Sequence, residues 1–302
     1  METFISIFTP TYNRGYILPL LYESLKQQTE YGFEWIVVDD GSTDNTEELV
    51  AKWIEENKLF GIEYYKKENG GKPRAINYGL KKAKGEFFFI VDSDDVLVSD
   101  AIEKMSIWCK EIENKPEFIG VGAARGKLNG QYIKGVSPIV NELGYVDCTN
   151  LERNKYHLDA DMCEAYKVDV LKHFPMAEWK DEKFAPEQIG FNEVALAGYK
   201  LRWHKDIIYI CEYRDDGLTK GSWNLEKQNP MGYSMMYNHM LRYPGYSKKQ
   251  KYKFACQHIA LAIVGKTPSY ILKTYNKKYT VLALPVGCVL AIRRKIQFRK
   301  NS

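Results

Sequence analysis

Phe87-Phe88-Phe89-Ile90-Val91-Asp92-Ser93-Asp94-Asp95 is the stretch on which the reading of this chain turns. Five consecutive apolar residues predict a buried strand, and three carboxylates crowd into the four residues that follow it. Charge at a buried strand end is costly unless it is paired, protonated or given a cation. Hard oxygen ligands of this kind suit Mg²⁺ or Mn²⁺, which hold a site through one or two carboxylates together with substrate phosphates. The same residues would also serve as an Asx-rich turn ahead of a helix starting near Ser99, and the tetrapeptide alone does not separate the two.

Upstream of this stretch, short apolar runs alternate with longer amphipathic ones. Strands are expected at Phe4 to Thr9, Trp35 to Asp39, Ile62 to Lys66 and Glu86 to Val91. Helices are expected at Tyr16 to Gln27, Thr43 to Glu56, Lys72 to Ala83 and Ser99 to Ile112. Repeated βα units predict an α/β fold with a mainly parallel central sheet flanked by helices. In such sheets ligands bind beyond the carboxyl ends of the strands. Three polar clusters fall at those ends: Pro10-Thr11-Tyr12-Asn13-Arg14, Asp39-Asp40-Gly41-Ser42, and Asp92 to Asp95.

Downstream the rhythm loosens. Further strands are expected at Phe118 to Ala123, Leu201 to His204 and Ile207 to Cys211, with a helix from Gln188 to Ala197. Beyond Met231 the chain reads as helices at Met231 to Arg242, Lys248 to Val264 and Tyr279 to Ile292. Residues 1–226 are expected to form one domain of two halves, 1–112 and 113–226, the second forming the other side of a cleft. Residues 227–302 form a basic helical extension.

The composition, 45% hydrophobic and 14% aromatic over 302 residues, argues against a disordered chain. Six cysteines without a CxxC pair fit free thiols in a reducing compartment, and Met1-Glu2-Thr3-Phe4 lacks the basic start of a signal peptide, so a cytoplasmic location is expected. The net charge of +4 hides an asymmetry: residues 227–302 carry 15 Lys and Arg and no Asp or Glu. Such a segment fits a polyanion, and an anionic membrane surface is favoured over nucleic acid, for which no binding motif is present. The 13 uncharged residues from Thr280 to Ile292 are too few for the roughly 20 that span a bilayer as a helix. A peripheral position on the inner face of the cell membrane is therefore expected.

Asn69-Gly70-Gly71-Lys72-Pro73-Arg74 opens the third helix, where glycines allow close backbone approach and the cations suit phosphate oxygens. Neither a P-loop nor a GxGxxG fingerprint is present. Ser42 or Thr43 is suited to cap the second helix, which leaves Asp40 as a candidate acceptor of a ligand hydrogen bond.

Taken together, Thr9 to Arg14, Asp39 to Ser42, Asn69 to Gly79 and Val91 to Asp95, in this order, resemble bacterial family 2 inverting glycosyltransferases of the GT-A fold. The resemblance is strong over residues 3 to 112 and weaker to about 233. It implies that Pro10, Thr11 and Tyr12 line a base pocket and that Asp40 binds the nucleobase or ribose. Lys72 would lie near the base or diphosphate and Asp92 near the ribose and diphosphate. Asp94, with Asp92, would hold Mg²⁺ or Mn²⁺, and Asp95 would face the sugar or support the metal. Arg14, Asn77 and Ser93, in the same motifs, complete the donor-binding set. The donor implied is a nucleoside-diphosphate sugar of the UDP-sugar class, and the acceptor a glycan or lipid-linked hydroxyl.

Inversion requires a base for the acceptor hydroxyl, which the family supplies from an acidic pair at a helix N-terminus. Here Pro186-Glu187-Gln188 occupies that place, with Gln188 replacing the second acid; Glu187 is the candidate base, ahead of Asp161 and Glu193. Arg214 or Lys220 could reach the diphosphate, and the stretch Asn229 to Gly232 is similar to closing loops of the family. His157 and His204 lack ligand spacing and read as structural. Two other readings are a nucleotidyltransferase, which would want a Gly-rich, Arg-containing loop after the first strand, and a binding subunit that has lost its base.

Overall fold

The computed structural model of the chain describes residues 3–211 and 222–300. The first elements alternate as the hydrophobic pattern predicts: β1 (Ile5–Thr11), α1 (Leu18–Lys26), β2 (Phe33–Asp39), α2 (Thr46–Glu56), β3 (Gly61–Lys66), α3 (Lys72–Lys82) and β4 (Phe87–Ile90). Then come β5 (Val96–Leu97), α4 (Ala101–Ile112), β6 (Phe118–Gly126), β7 (Tyr145–Cys148), β8 (Met162–Lys167), α5 (Val168–Leu171), α6 (Gln188–Leu196) and β9 (Lys200–Ile210). The chain closes with α7 (Ser222–Gln228), α8 (Pro230–Met240), α9 (Lys248–Val264) and α10 (Lys277–Lys300).

The strands form one sheet in the order β3-β2-β1-β4-β8-β6-β9-β5, with β7 against β9. The β3-β2-β1-β4 half is parallel, as is β6-β9; β8 enters antiparallel between β4 and β6. Strand β8, Met-Cys-Glu-Ala-Tyr-Lys, has no β-branched residue and escapes a pattern reading. The two strands expected at Leu201 to His204 and Ile207 to Cys211 are one strand, β9, with register irregularities against β6.

β1, β2 and β4 are buried on both faces, which explains why they are mostly apolar; the buried Ser6 of β1 and Glu34 of β2 bond to each other (2.6 Å). On one face Tyr22 stacks on Trp53, ring centroids 4.4 Å apart, over the buried Trp35. Gly79 of α3 lies against Phe8, where a Cβ would come within 2.3 Å of the ring, so the missing side chain brings the helix close to β1. That packing fixes where the N-terminus of α3, and with it Lys72, meets the strand ends.

The chain divides into two compact units. One, Met1–Pro175 with Glu193–Glu212, holds the sheet and α1 to α5. The other, Met176–Asn192 with Tyr213–Ser302, holds the C-terminal helices. In the helical unit Leu241, Ala255, Cys256, Ile259 and Ala283 form a core of mostly small side chains between α9 and α10. A Cβ on Gly287 would meet Ile259 at 2.6 Å, so α10 approaches α9 closely. The last helix is longer than its uncharged run: it extends from Lys277 to Lys300 with Pro285 inside, where the ring removes the N–H that would bond the Val281 carbonyl.

Candidate active site

Two of the three polar clusters expected on one rim are tied together directly by hydrogen bonds. The Asp40 N–H donates to the Thr11 carbonyl (2.8 Å), the Asn13 N–H to Ser42 Oγ (2.8 Å), the Thr43 N–H to Asn13 Oδ1 (2.8 Å) and the Gly15 N–H to Asp44 Oδ2 (2.9 Å). These bonds hold the loop after β1 against the loop after β2. Thr11 is buried and its hydroxyl has no partner among the described residues, whereas Tyr12 is exposed. Arg14 donates to the Tyr16 hydroxyl (2.6 Å).

The two aspartates after β2 do different work. Asp39, fully buried, accepts the Ser42 N–H (2.7 Å) and the Tyr64 hydroxyl (2.6 Å), which makes it a turn-former. Asp40 accepts Lys67 and the Gly70 N–H (2.9 Å) on one oxygen and the Gly71 N–H (2.6 Å) on the other. It therefore holds the loop that presents Lys72; the oxygen that meets Lys67 and Gly70 has both lone pairs engaged, and the other keeps one for a further donor. Gly71, at φ 91°, takes a conformation open to glycine and starts α3 with Lys72 in its first turn. Asn77 lies further along α3, half-buried.

Lys72 reaches Asp92, Nζ to Oδ1 2.6 Å. Arg125 approaches the other Asp92 oxygen at 3.3 Å and Asp95 at 3.6 Å, lies over the Tyr209 ring at 4.2 Å, and donates Nε–H to the Met162 carbonyl at 2.9 Å. The Tyr209 hydroxyl accepts the Asp92 N–H (2.8 Å) and donates to Asp95. Burial by itself would raise the Asp92 carboxyl, but Lys72 and Arg125 outweigh it and hold it down at about 2. For Asp95 burial is joined by repulsion from Asp92 and Asp94, offset only in part by Arg125, and the carboxyl is pushed up to about 7. Ser93 is buried in the same turn. Asp94, half-buried, has no hydrogen bond or ion pair among the described residues.

Arg125 and Tyr209 were not among the residues expected from sequence, although Arg125 carries the same signal as Asp92: a charge ending a buried strand. Sequence gave no sign that Lys67 would meet Asp40. His204 stacks on Trp108, ring centroids 4.0 Å apart, inside the sheet unit.

Glu187 belongs to the helical unit. It stands half-buried immediately before α6, and its carbonyl accepts the Phe191 N–H (3.3 Å). The segment leading to it is anchored twice. Glu182 accepts the Met231 and Gly232 N–H groups, both at 2.8 Å, and Asn229 Oδ1 accepts those of Lys183 and Phe184 at 2.9 and 3.0 Å. The stretch Asn229 to Gly232 is thus the start of α8 and a strut for the Glu187 segment. Asp161 is exposed just ahead of β8, and Glu193 sits half-buried within α6. Arg214 and Lys220 lie outside the described residues.

Residues 6–174 match the model of glycosyl transferase family 2. The chain belongs to that family. The glycosyltransferase GlyG of Streptococcus pneumoniae is 26% identical over 233 residues, 74% of this chain and 76% of that protein. The minor teichoic acid biosynthesis protein GgaB of Bacillus subtilis is 29% identical over 218 residues, 70% of this chain but 23% of its own length. Among solved structures, S. aureus TarS 1-349 in complex with UDP-GlcNAc aligns over 96% of this chain and 82% of that one, with a TM-score of 0.62 and 20% identity. The fold of this glycosyltransferase is therefore the GT-A fold, built as a central mixed sheet with a helical C-terminal region.

Proposed function

We propose that this glycosyltransferase moves a hexosyl unit from a nucleoside-diphosphate donor, a UDP-sugar, to a hydroxyl of a glycan or lipid-linked acceptor in surface glycan synthesis, with inversion at the anomeric carbon. The observation that carries the donor reading is the meeting of Lys72, Asp92 and Arg125 at the strand ends, beside a loop pinned by Asp40. Lys72, in the first turn of α3, is suited to a diphosphate oxygen. The loops after β1 and β2, with Pro10, Thr11, Tyr12, Arg14 and Asp40, would receive the nucleoside, and Asn77 and Ser93 would support it. The UDP preference draws on TarS, solved with UDP-GlcNAc, and the acceptor class on GgaB, a teichoic acid biosynthesis protein.

The residues present fit a divalent cation. Asp95 is a carboxylate whose buried charge lacks full compensation, and Asp94 beside it has no cationic partner among the described residues. Among the described residues no three His, Cys, Asp or Glu side chains form a closed cage. Mg²⁺ and Mn²⁺ need none, since donor phosphates and water complete their shells. Asp94 would hold the ion with Asp92 beside it, and the ion would neutralise charge gathering on the departing diphosphate. Lys72 and Arg125 would keep Asp92 ionised and oriented.

Glu187 would accept the acceptor's hydroxyl proton as its oxygen bonds to the anomeric carbon and the bond to the diphosphate breaks. A panel of nucleotide sugars, scored for donor hydrolysis with Mg²⁺, Mn²⁺ or EDTA, tests donor and metal together. A UDP-sugar turned over with metal and spared by EDTA treatment is the expected result, and equal rates with EDTA would remove the metal. Glu187→Gln should lower transfer about 100-fold or more with donor binding intact. Full activity in that variant would move the base to Asp161 or Glu193. The basic segment 227–302 supports a peripheral position on an anionic membrane.

A further inference from the structure

Helix α10 is inverted relative to an ordinary surface helix. Thr280, Ala283, Ala291 and Phe298 are buried on the side that meets the helical unit. The opposite side presents Val281 (64% exposed), Leu282 (57%), Val289 (64%), Ile292 (61%) and Ile296 (50%) to solvent. At about 100° per residue these five fall within an arc of about 100°, a continuous aliphatic stripe. Pro285 lies on the same arc. Exposed contiguous apolar surface of this kind marks an interaction site. Lys277 and Lys278 stand at the start of the stripe and Arg293 and Lys295 near its end, all exposed.

We propose that this stripe is the element by which the chain seats on an anionic lipid bilayer, with α10 lying in the plane of the interface. The proposal rests on the peripheral-membrane reading above and names the surface responsible. No helix among the described residues is long and apolar enough to cross a membrane, so the stripe meets lipid along its side. A second copy of this chain is the poorer occupant. Residues 227–302 carry 15 Lys and Arg and no acidic residue, so pairing two such faces would bring like charges together. Anionic headgroups supply the missing counter-charge, and their acyl chains take up the aliphatic side chains.

Flotation of the full chain with vesicles tests this. With phosphatidylcholine containing about 30% phosphatidylglycerol, at low ionic strength where screening is weak, the chain should float. With phosphatidylcholine alone it should float at least about tenfold less. The triple variant Leu282→Gln, Val289→Gln, Ile292→Gln changes only exposed positions. It should keep its circular dichroism and melting temperature and lose about tenfold or more of its partitioning. The variant Lys277→Gln, Lys278→Gln, Arg293→Gln should bind less and show a shallower salt dependence.

If the native chain floats and the folded triple variant floats equally, the stripe is not the docking surface, while the peripheral reading stands. A native chain that stays off anionic vesicles at low salt overturns both. So does sedimentation showing a dimer that the triple variant dissolves in a chain that does not float. None of these outcomes bears on sugar transfer, which the nucleotide-sugar panel scores separately.

Discussion

Arg125 meets four partners at once: the Asp92 and Asp95 carboxylates, the Met162 carbonyl and the face of the buried Tyr209. With its side chain only 15% exposed, removing it would leave Asp92 to Lys72 alone and Asp95 without a cation. Arg125→Met should destabilise the fold by on the order of 3 kcal/mol in urea titration and weaken UDP binding in calorimetry. Adding Asp92→Asn should recover part of the stability, since the two residues share one network. Simple additivity of the two effects would show that Arg125 packs without supporting Asp92. His204 offers a pH test in the same unit. Burial, and then the charge of Arg202, push its imidazole down to about 3, so the folded state holds it neutral while the unfolded chain protonates it below about 6.5. A depressed histidine contributes stability above the unfolded value and loses it as pH falls toward 3. His204→Phe, which keeps the stacking on Trp108, should flatten the decline in melting temperature between pH 6.5 and 4; an unchanged decline would assign it to other groups.

At the level of elements, close backbone approaches decide where the reacting side chains stand. A Cβ on Gly232 would come within 2.1 Å of the Phe184 carbonyl oxygen, three residues before Glu187. Gly232→Ala should therefore shift that segment, costing about 1–3 kcal/mol in stability and lowering the transfer rate more than UDP affinity. A loss of UDP affinity with the rate unchanged would contradict the strut assigned to the start of α8. The same level shows what a sequence discloses. The βα units through β4 are legible because buried parallel strands must be apolar throughout and their helices must be amphipathic. Strand β8 is not, because it owes its pairing to neighbours on both sides and to no propensity of its own. Aspartates 92, 94 and 95 announce themselves as a cluster, whereas Arg125 and Tyr209 come to them from β6 and β9, strands whose neighbours the sequence does not specify. Asp40 is visible as a conspicuous acid, but its bonds to Gly70 and Gly71 depend on a loop 30 residues away along the chain.

For the whole molecule, two units with separate cores predict an uneven map of protection. Amide exchange read by mass spectrometry should be slowest in β1, β2 and β4, where every residue but Pro10 is buried, and faster in β3, where no residue is fully buried. In the helical unit the slowest amides should lie in the second half of α9, where Ile259, Ala260, Leu261 and Ala262 are fully buried. Equal exchange in β3 and β1 would argue against the buried parallel half as the stable centre. The charge division between the segments was legible at once, being a matter of counting. The outward turn of the aliphatic side of α10 was not, because Thr280 to Ile292 is apolar all round and only packing on α9 decides which side is covered. The cysteines add a practical consequence. Cys109, Cys148, Cys163 and Cys256 are buried and Cys211 is half-buried, while Cys288 is exposed on α10, seven residues after Val281 and four before Ile292. A maleimide dye offered to the native chain will find that thiol first, and its emission colour will report directly whether water or hydrocarbon surrounds the helix.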